Sequence, residues 1–296
     1  MNIYALELNN DIKGIPERKK YIESLIEKTI NPDLIVLPEL ALCSYIGNDN
    51  IWQYADVDSL NTSQWAMEMA EKYNTFIAAG YLEKMGNDYY NSYLIADKNK
   101  VYGIVRKSEG ESYIFKRGDF PNIIAAPFGN VAIGICYDSR RKHIYDNIKD
   151  KVISLILFPH GAPSNPKHAD KEKRTVDYFC NAYLNAFDVP VIYANSKGKL
   201  DYMLGTTGKM MNNSGFILNG MSAIYSKQGS VIPTDISEII GWSGEISPKS
   251  LKSEITFYGE DIIKGNWLFR KLVLKPDIKN GISFYEKSVS NNIHNQ

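Results

Sequence analysis

At 296 residues, with 44% apolar and 23% charged side chains, the chain can bury a large core without disulfide or metal staples and is too apolar for a disordered polymer. Lys plus Arg and Asp plus Glu both number 34, so no net field favours nucleic acid or an anionic membrane, and a small molecule is the expected partner. Three widely spaced cysteines (Cys43, Cys136, Cys180), no CxxC pair, no leader-like amino terminus and no long apolar run lead us to expect a reduced, cytoplasmic chain without a membrane span.

In chain order, Ile3 to Leu8 has the pattern of a strand, and Pro16 to Ile30 places Ile22, Leu25, Ile26 and Ile30 on one helical face. Leu34 to Leu37 is a short, wholly apolar strand. Asn61 to Asn74, with Trp65, Met69 and Tyr73 at helical spacing, predicts a helix, and Thr75 to Gly80 a strand. Ser92 to Ala96 and Val101 to Val105, joined by Asp-Lys-Asn-Lys, predict a hairpin, so the sheet is mixed. Val131 to Ile135 is a buried strand closed by Cys136. A polar helix from about Arg140 to Lys151 and the apolar run Val152 to Phe158 follow.

From His168 to Phe187 an apolar stripe (Val176, Phe179, Cys180, Tyr183, Leu184, Phe187) predicts a helix that makes Cys180 a core residue, and Val189 to Ala194 a strand. Gly205-Thr-Thr-Gly-Lys209 lacks the glycine spacing and terminal Ser/Thr of a phosphate loop and is taken as a plain loop. Met221 to Ser226 and Ser230 to Ile232 predict a second hairpin, and Glu254 to Phe257 a last strand. The remainder, with Trp267, Phe269, Leu272 and Val273, is expected to pack on the domain or on a neighbouring subunit.

Chemistry gathers at three apolar strands that each run out onto a reactive side chain: Leu34 to Glu39, Val101 to Lys107 and Val131 to Cys136. In α/β sheets such ends converge on ligand crevices. A charge next to a core is costly unless paired, so Glu39 and Lys107 are candidate mutual partners. A thiolate is a nucleophile, a nearby cation favours it, and a carboxylate can carry its proton. Cys136 would attack a carbonyl carbon, Lys107 and the Tyr137 backbone N–H would stabilise the oxyanion, and Glu39 would serve the leaving amine and then water.

These residues resemble the nitrilase superfamily of carbon–nitrogen hydrolases. Leu37-Pro-Glu39-Leu-Ala-Leu with Tyr45 is similar to its glutamate motif, Arg106-Lys107 to its lysine motif, and Gly134-Ile-Cys136-Tyr-Asp138-Ser-Arg140 to its nucleophile motif. Gly80, Tyr90-Asn91-Ser92, Leu157-Phe-Pro159 and Gly220-Met-Ser222 extend the match over about residues 1 to 260. The resemblance implies an α/β fold, a four-layer αββα sandwich with mixed sheets, formed by residues 1–260, with 261–296 as a carboxy-terminal extension. It also implies a Glu-Lys-Cys catalytic set, homo-oligomers, and Glu111 as a second glutamate, since Glu111, Phe115 and Gly118 follow the pattern Glu-x-x-x-Phe-x-x-Gly. Glu109 is the rival for that role.

Two departures bear on the pocket rim: Ser108-Glu109 stands where many relatives have His-Leu, and Arg141-Lys142-His143 where Phe-Pro-Glu is frequent. The Cys-Tyr-Asp wording is similar to amidase and carbamoylase branches, which implies a small linear amide or N-carbamoyl substrate. Nitrile hydrolysis, acyl transfer from the same thioester, and a non-enzymatic binding module remain alternatives. Tyr45, Tyr113, Tyr137 and His160 are the candidate substrate-binding residues. No His/Cys/Asp cluster shows metal-ligand spacing, so neither metal nor cofactor is expected.

Overall fold

The computed structural model describes residues 1–119, 121–233 and 237–294. Among these, two mixed sheets form, one of seven strands and one of nine. In the first, Asn2–Leu6, Leu34–Val36 and Phe76–Met85 pair in parallel. Asp88–Ala96 and Val101–Arg106 add antiparallel on one side and Ile239–Ser243 on the other. In the second, Gly129–Ile133, Leu155–His160 and Val191–Gly198 are parallel, and Ile123–Ala126 and Ala223–Ser226 flank them antiparallel.

The layering follows from the two-residue period of a strand. Leu34 and Val36 of the first sheet meet Ile133, Leu155, Leu157 and Ile192 of the second, and these side chains form the core between the sheets. Their neighbours point outward: Ile35, Leu37 and Ile77 pack on Ile22, Leu25, Trp65 and Met69 of the helices Ile15–Ile26 and Leu60–Tyr73. Ile156, Phe158 and Tyr193 pack on Ile144, Phe179 and Tyr183 of Lys142–Ile148 and Ala169–Phe187. The order helix, sheet, sheet, helix is the four-layer sandwich. Phe158 is fully buried, with ring centroids 5.8 and 5.1 Å from those of Phe179 and Tyr183; truncating such a residue to Ala costs about 3–5 kcal/mol.

Several expectations change. The first helix ends at Ile26, and Ile30 is 73% exposed beyond it. The strand after Asn74 runs to Met85 and turns back through Gly86 into Asp88–Ala96, a hairpin that precedes the expected one. Glu254 to Phe257 is not a strand. Ile255 and Phe257 lie on the helical layer, Phe257 5.4 Å from the Tyr145 ring, and Ile239–Ser243 is the last strand instead. Gly205–Asn213 is a helix, not a loop.

The carboxy-terminal segment forms a helical turn (Trp267–Phe269), a π-helical turn (Arg270–Leu274) and the helix Lys275–His294. It packs against its own chain. Asp277 accepts hydrogen bonds from the Thr206 and Thr207 N–H groups, both 2.8 Å, so it caps Gly205–Asn213 from a distance. Tyr285 stands edge-on to Trp52 at 6.0 Å. Among the described residues no helix is long and apolar enough to cross a membrane.

Candidate active site

The two sheets bring their strand ends to one crevice. Glu39 lies three residues beyond Leu34–Val36, Lys107 directly follows Val101–Arg106, and Cys136 lies three residues beyond Gly129–Ile133. Cys136 opens a 3-10 turn (Cys136–Arg140) with φ 50°, a left-handed conformation unfavourable to a side chain, and it lines a cavity of about 460 Å³. Gly80 lets the glutamate segment approach the neighbouring strand: a Cβ there would sit 2.5 Å from the Pro38 carbonyl oxygen and 2.9 Å from Glu39 Cα.

Glu39 is 1% exposed and fully engaged. Its Oε1 accepts hydrogen bonds from Asn91 Nδ2 and Lys107 Nζ, both 2.7 Å, and its Oε2 from the Gly161 N–H at 2.6 Å. Lys107 Nζ also donates to Glu111 Oε2 at 2.5 Å, and the Tyr45 hydroxyl donates to Glu111 Oε1 at 2.8 Å. Cys136 Sγ and one oxygen of each glutamate lie within 4.8 Å of one another. The structure thus brings Glu39, Lys107, Glu111 and Cys136 together. Glu109 is turned away, 3.1 Å from Arg141 Nε and 3.6 Å from His143 Nδ1.

The electrostatics of this cluster are those of a buried ion network. Burial opposes the Lys107 charge, yet the carboxylates of Glu111 and Glu39 hold its ammonium well above the usual range. Burial pushes the Glu111 carboxyl up against the pull of Lys107. Burial, and then the negative charge of Glu39, push the Cys136 thiol well above its ordinary value, so the resting group is the thiol. Two carboxylates and a sulfur could in principle hold a cation, but the Lys107 ammonium occupies the position between the carboxylates.

The other candidates line the same cavity. Tyr113 donates its hydroxyl to Asp277 at 2.9 Å, and Tyr137 reaches Asp261 at 3.3 Å. His160 is 4% exposed and lies 3.1 Å from Ser139 Oγ; burial, with Lys107 and Arg140 nearby, lowers it well below its ordinary value and keeps it neutral.

Sequence reasoning assigned no role to Asn91, Gly161 or Asp138. Asp138 is fully buried and accepts the N–H groups of Ser108 and Glu109 at 2.7 and 2.8 Å, which fixes the backbone after Lys107. Burial pushes its carboxyl up to about 8, against those hydrogen bonds. The available signal for Asn91 was its place in the Tyr90-Asn91-Ser92 match, on a strand that continues into the buried run Tyr93 to Ala96.

Residues 8–242 match the carbon-nitrogen hydrolase family. The chain belongs to that family. A probable nitrilase of Schizosaccharomyces pombe is 30% identical over 139 residues, 44% of this chain and 51% of its own length. A citrullinase of Francisella tularensis is 25% identical over 154 residues, 48% of this chain and 54% of that protein. The chain therefore spans about half the length of these relatives. A carbon-nitrogen hydrolase from Helicobacter pylori shares the fold, with a TM-score of 0.65 at 19% identity over 81% of this chain and 88% of that one. In this member of the carbon-nitrogen hydrolase family the matched region contains Glu39, Lys107, Glu111 and Cys136, while Asp261, Arg270 and Asp277 of the cavity wall lie beyond it.

Proposed function

We propose that the chain hydrolyses a non-peptide carbon–nitrogen bond of a small linear amide or N-carbamoyl compound through a thioester on Cys136. The observation that carries this reading is the Lys107 ammonium held between Glu39 and Glu111, with the sulfur of Cys136 within 4.8 Å of oxygens from both. Glu39 takes the thiol proton as Sγ attacks the carbonyl carbon, so the high resting affinity of the thiol for its proton is overcome only when substrate is in place. The oxyanion is met by the Lys107 ammonium and the Tyr137 N–H at the start of the 3-10 turn. Glu39 then gives its proton to the departing nitrogen, and ammonia or amine leaves. Water follows, loses a proton to Glu39, and attacks the thioester; the sulfur recovers that proton and the acid is released.

In this account Glu111 positions Lys107, and Tyr45 positions Glu111. Residues 1–260 form the catalytic domain, and the extension 261–296 completes the cavity wall. The amide or carbamoyl preference draws support from the citrullinase likeness and from the Cys-Tyr-Asp wording. We assign the protein to the cytoplasm, a reducing compartment that suits three free, buried cysteines. A homo-oligomer is part of the proposal, since Trp267 and Leu272 are each 66% exposed on the extension; a monomeric mass by light scattering at micromolar concentration would refute it.

The test is ammonia release from a panel of primary amides, N-carbamoyl compounds and nitriles, with wild type beside Cys136→Ala. Release by wild type alone supports the proposal and identifies the substrate class. Full activity in Cys136→Ala removes the nucleophile from it, and silence on the whole panel, with added amine acceptors also unreacted, turns the site into a binding module.

A further inference from the structure

The cavity that holds Cys136 has a second charged wall, formed largely by residues beyond the matched family region. Arg140, at the end of the 3-10 turn, donates from Nη2 to Asp261 Oδ2 at 3.2 Å, and Arg270 Nη2 lies 3.0 Å from the same oxygen. Asp261 is fully buried and is held by the Ile263 N–H at 2.7 Å. Arg141 also approaches it at 4.0 Å, but its nearer partner is Glu109 at 3.1 Å. One carboxylate is therefore shared by two guanidinium groups that line the cavity, so Asp261 can neutralise only one of them, while Glu172 and Asp277 add carboxylates elsewhere on the same wall.

Three further observations point the same way. The Arg140 and Arg270 side chains are each 25% exposed, open to the cavity rather than sealed in the ion cluster. Arg140 Nε is buried with no hydrogen-bond partner among the described residues, so Asp261 does not satisfy the whole guanidinium. Arg270 opens a π-helical turn (Arg270–Leu274), an uncommon geometry concentrated at functional positions, and its guanidinium is steadied by the Ile263 carbonyl at 3.1 Å. Tyr137 connects this wall to the nucleophile, because it follows Cys136 directly and its ring lies 5.5 Å from the Arg140 guanidinium carbon.

We propose that Arg140 and Arg270, oriented by Asp261, bind a carboxylate carried by the substrate at the end remote from the scissile bond. Amides or ureides with a terminal carboxylate are then the preferred substrates. This deepens the hydrolase reading and rests on it for the identity of the reacting end. A planar carboxylate matches the forked donors of guanidinium better than any neutral group does. The other carboxylates of the wall are differently placed: Glu111 is held by Lys107 and Tyr45, and Asp277 by Tyr113 and the Thr206 and Thr207 N–H groups. Glu172, also on the wall, makes no hydrogen bond or ion pair to a described residue, so a substrate amine is the competing possibility that the experiment must separate.

The experiment is calorimetric titration of the Cys136→Ala protein, which reads binding without turnover. The probes are matched amides: succinamate against butyramide, glutaramate against valeramide, and 4-aminobutyramide as the cationic member. The expected result is that a carboxylated amide binds about tenfold or more tightly than its neutral match. That ratio falls toward one in Cys136→Ala/Arg270→Gln and is partly restored in Cys136→Ala/Arg270→Lys. Because a ratio is read, a general loss of folded protein does not imitate the effect. Equal affinity within each pair, tighter binding of the cationic amide, a preference that survives Arg270→Gln, or no binding of any probe overturns the proposal. Wild type that binds the carboxylated amides but releases no ammonia from them would refute the hydrolase reading alone.

Discussion

Replacing Glu111 separates charge from geometry at the centre of the site. Glu111→Gln keeps an oxygen for the Lys107 ammonium and deletes the negative charge. Glu111→Ala deletes both, leaving the Tyr45 hydroxyl and one ammonium N–H without their partner where Lys107 is only 4% exposed. A hydrogen bond to a charged group contributes about 1.5–3 kcal/mol, so Glu111→Gln should lower kcat/KM by about 10- to 150-fold. Removing one member of a buried pair costs about 3–5 kcal/mol, which takes Glu111→Ala to a loss of about 150- to 5000-fold. Glu109→Gln is the control, because its partly exposed contacts with Arg141 and His143 are worth at most about 1 kcal/mol, or a fivefold effect. The assay is steady-state ammonia release on the best substrate, with circular dichroism and thermal unfolding as checks of the fold. Wild-type kcat/KM in a folded Glu111→Ala protein, or a larger loss in Glu109→Gln, would refute the assignment of Glu111 as the residue that holds Lys107.

Iodoacetamide on the native protein should label Cys136 alone, since it is 7% exposed on the cavity wall whereas Cys43 and Cys180 are 1% and 0% exposed; peptide mass mapping that finds the label on either of the others contradicts the burial argument. Asp277 should make the carboxy-terminal helix acid-sensitive: burial opposes its ionisation, but hydrogen bonds from Thr207, Thr206 and Tyr113 hold its carboxyl below the ordinary 3.8. A group depressed in the folded state contributes stability above its unfolded value and loses it as pH falls through the folded one. Urea unfolding midpoints of wild type should therefore drop below about pH 4 more steeply than those of Asp277→Asn; parallel pH curves would contradict the clamp.

What the sequence revealed and what it hid have separate physical causes. Leu34–Val36 and Leu155–His160 were legible because strands buried on both faces are continuous apolar runs. Glu39 and Cys136 stood out because each follows such a run, and Lys107 because it closes the half-buried strand Val101–Arg106. Ile239–Ser243 was not legible, because its strand character comes from antiparallel pairing with Asn2–Leu6, more than two hundred residues away in sequence. The helix Gly205–Asn213 starts with glycine and two threonines and gains its cap from Asp277, some seventy residues later. Periodicity does not register such distant partners. The choice between Glu111 and Glu109 was also beyond local pattern: Glu111 adopts φ 30° after Gly110 at φ 106°, and this turn of the backbone carries its carboxylate back over Lys107. Arg270 gave no signal, since its meaning depends on Arg140 and Asp261 lying beside it.

The central claim, covalent catalysis by Cys136, is tested most directly by intact-protein mass spectrometry of an acid-quenched reaction within the first turnovers on the best amide substrate. The account predicts a protein mass increased by the acyl group of the substrate, located on Cys136, discharged by hydroxylamine and missing in Cys136→Ala. Turnover with no such adduct on the millisecond to second timescale, or an adduct that persists in Cys136→Ala, would contradict it.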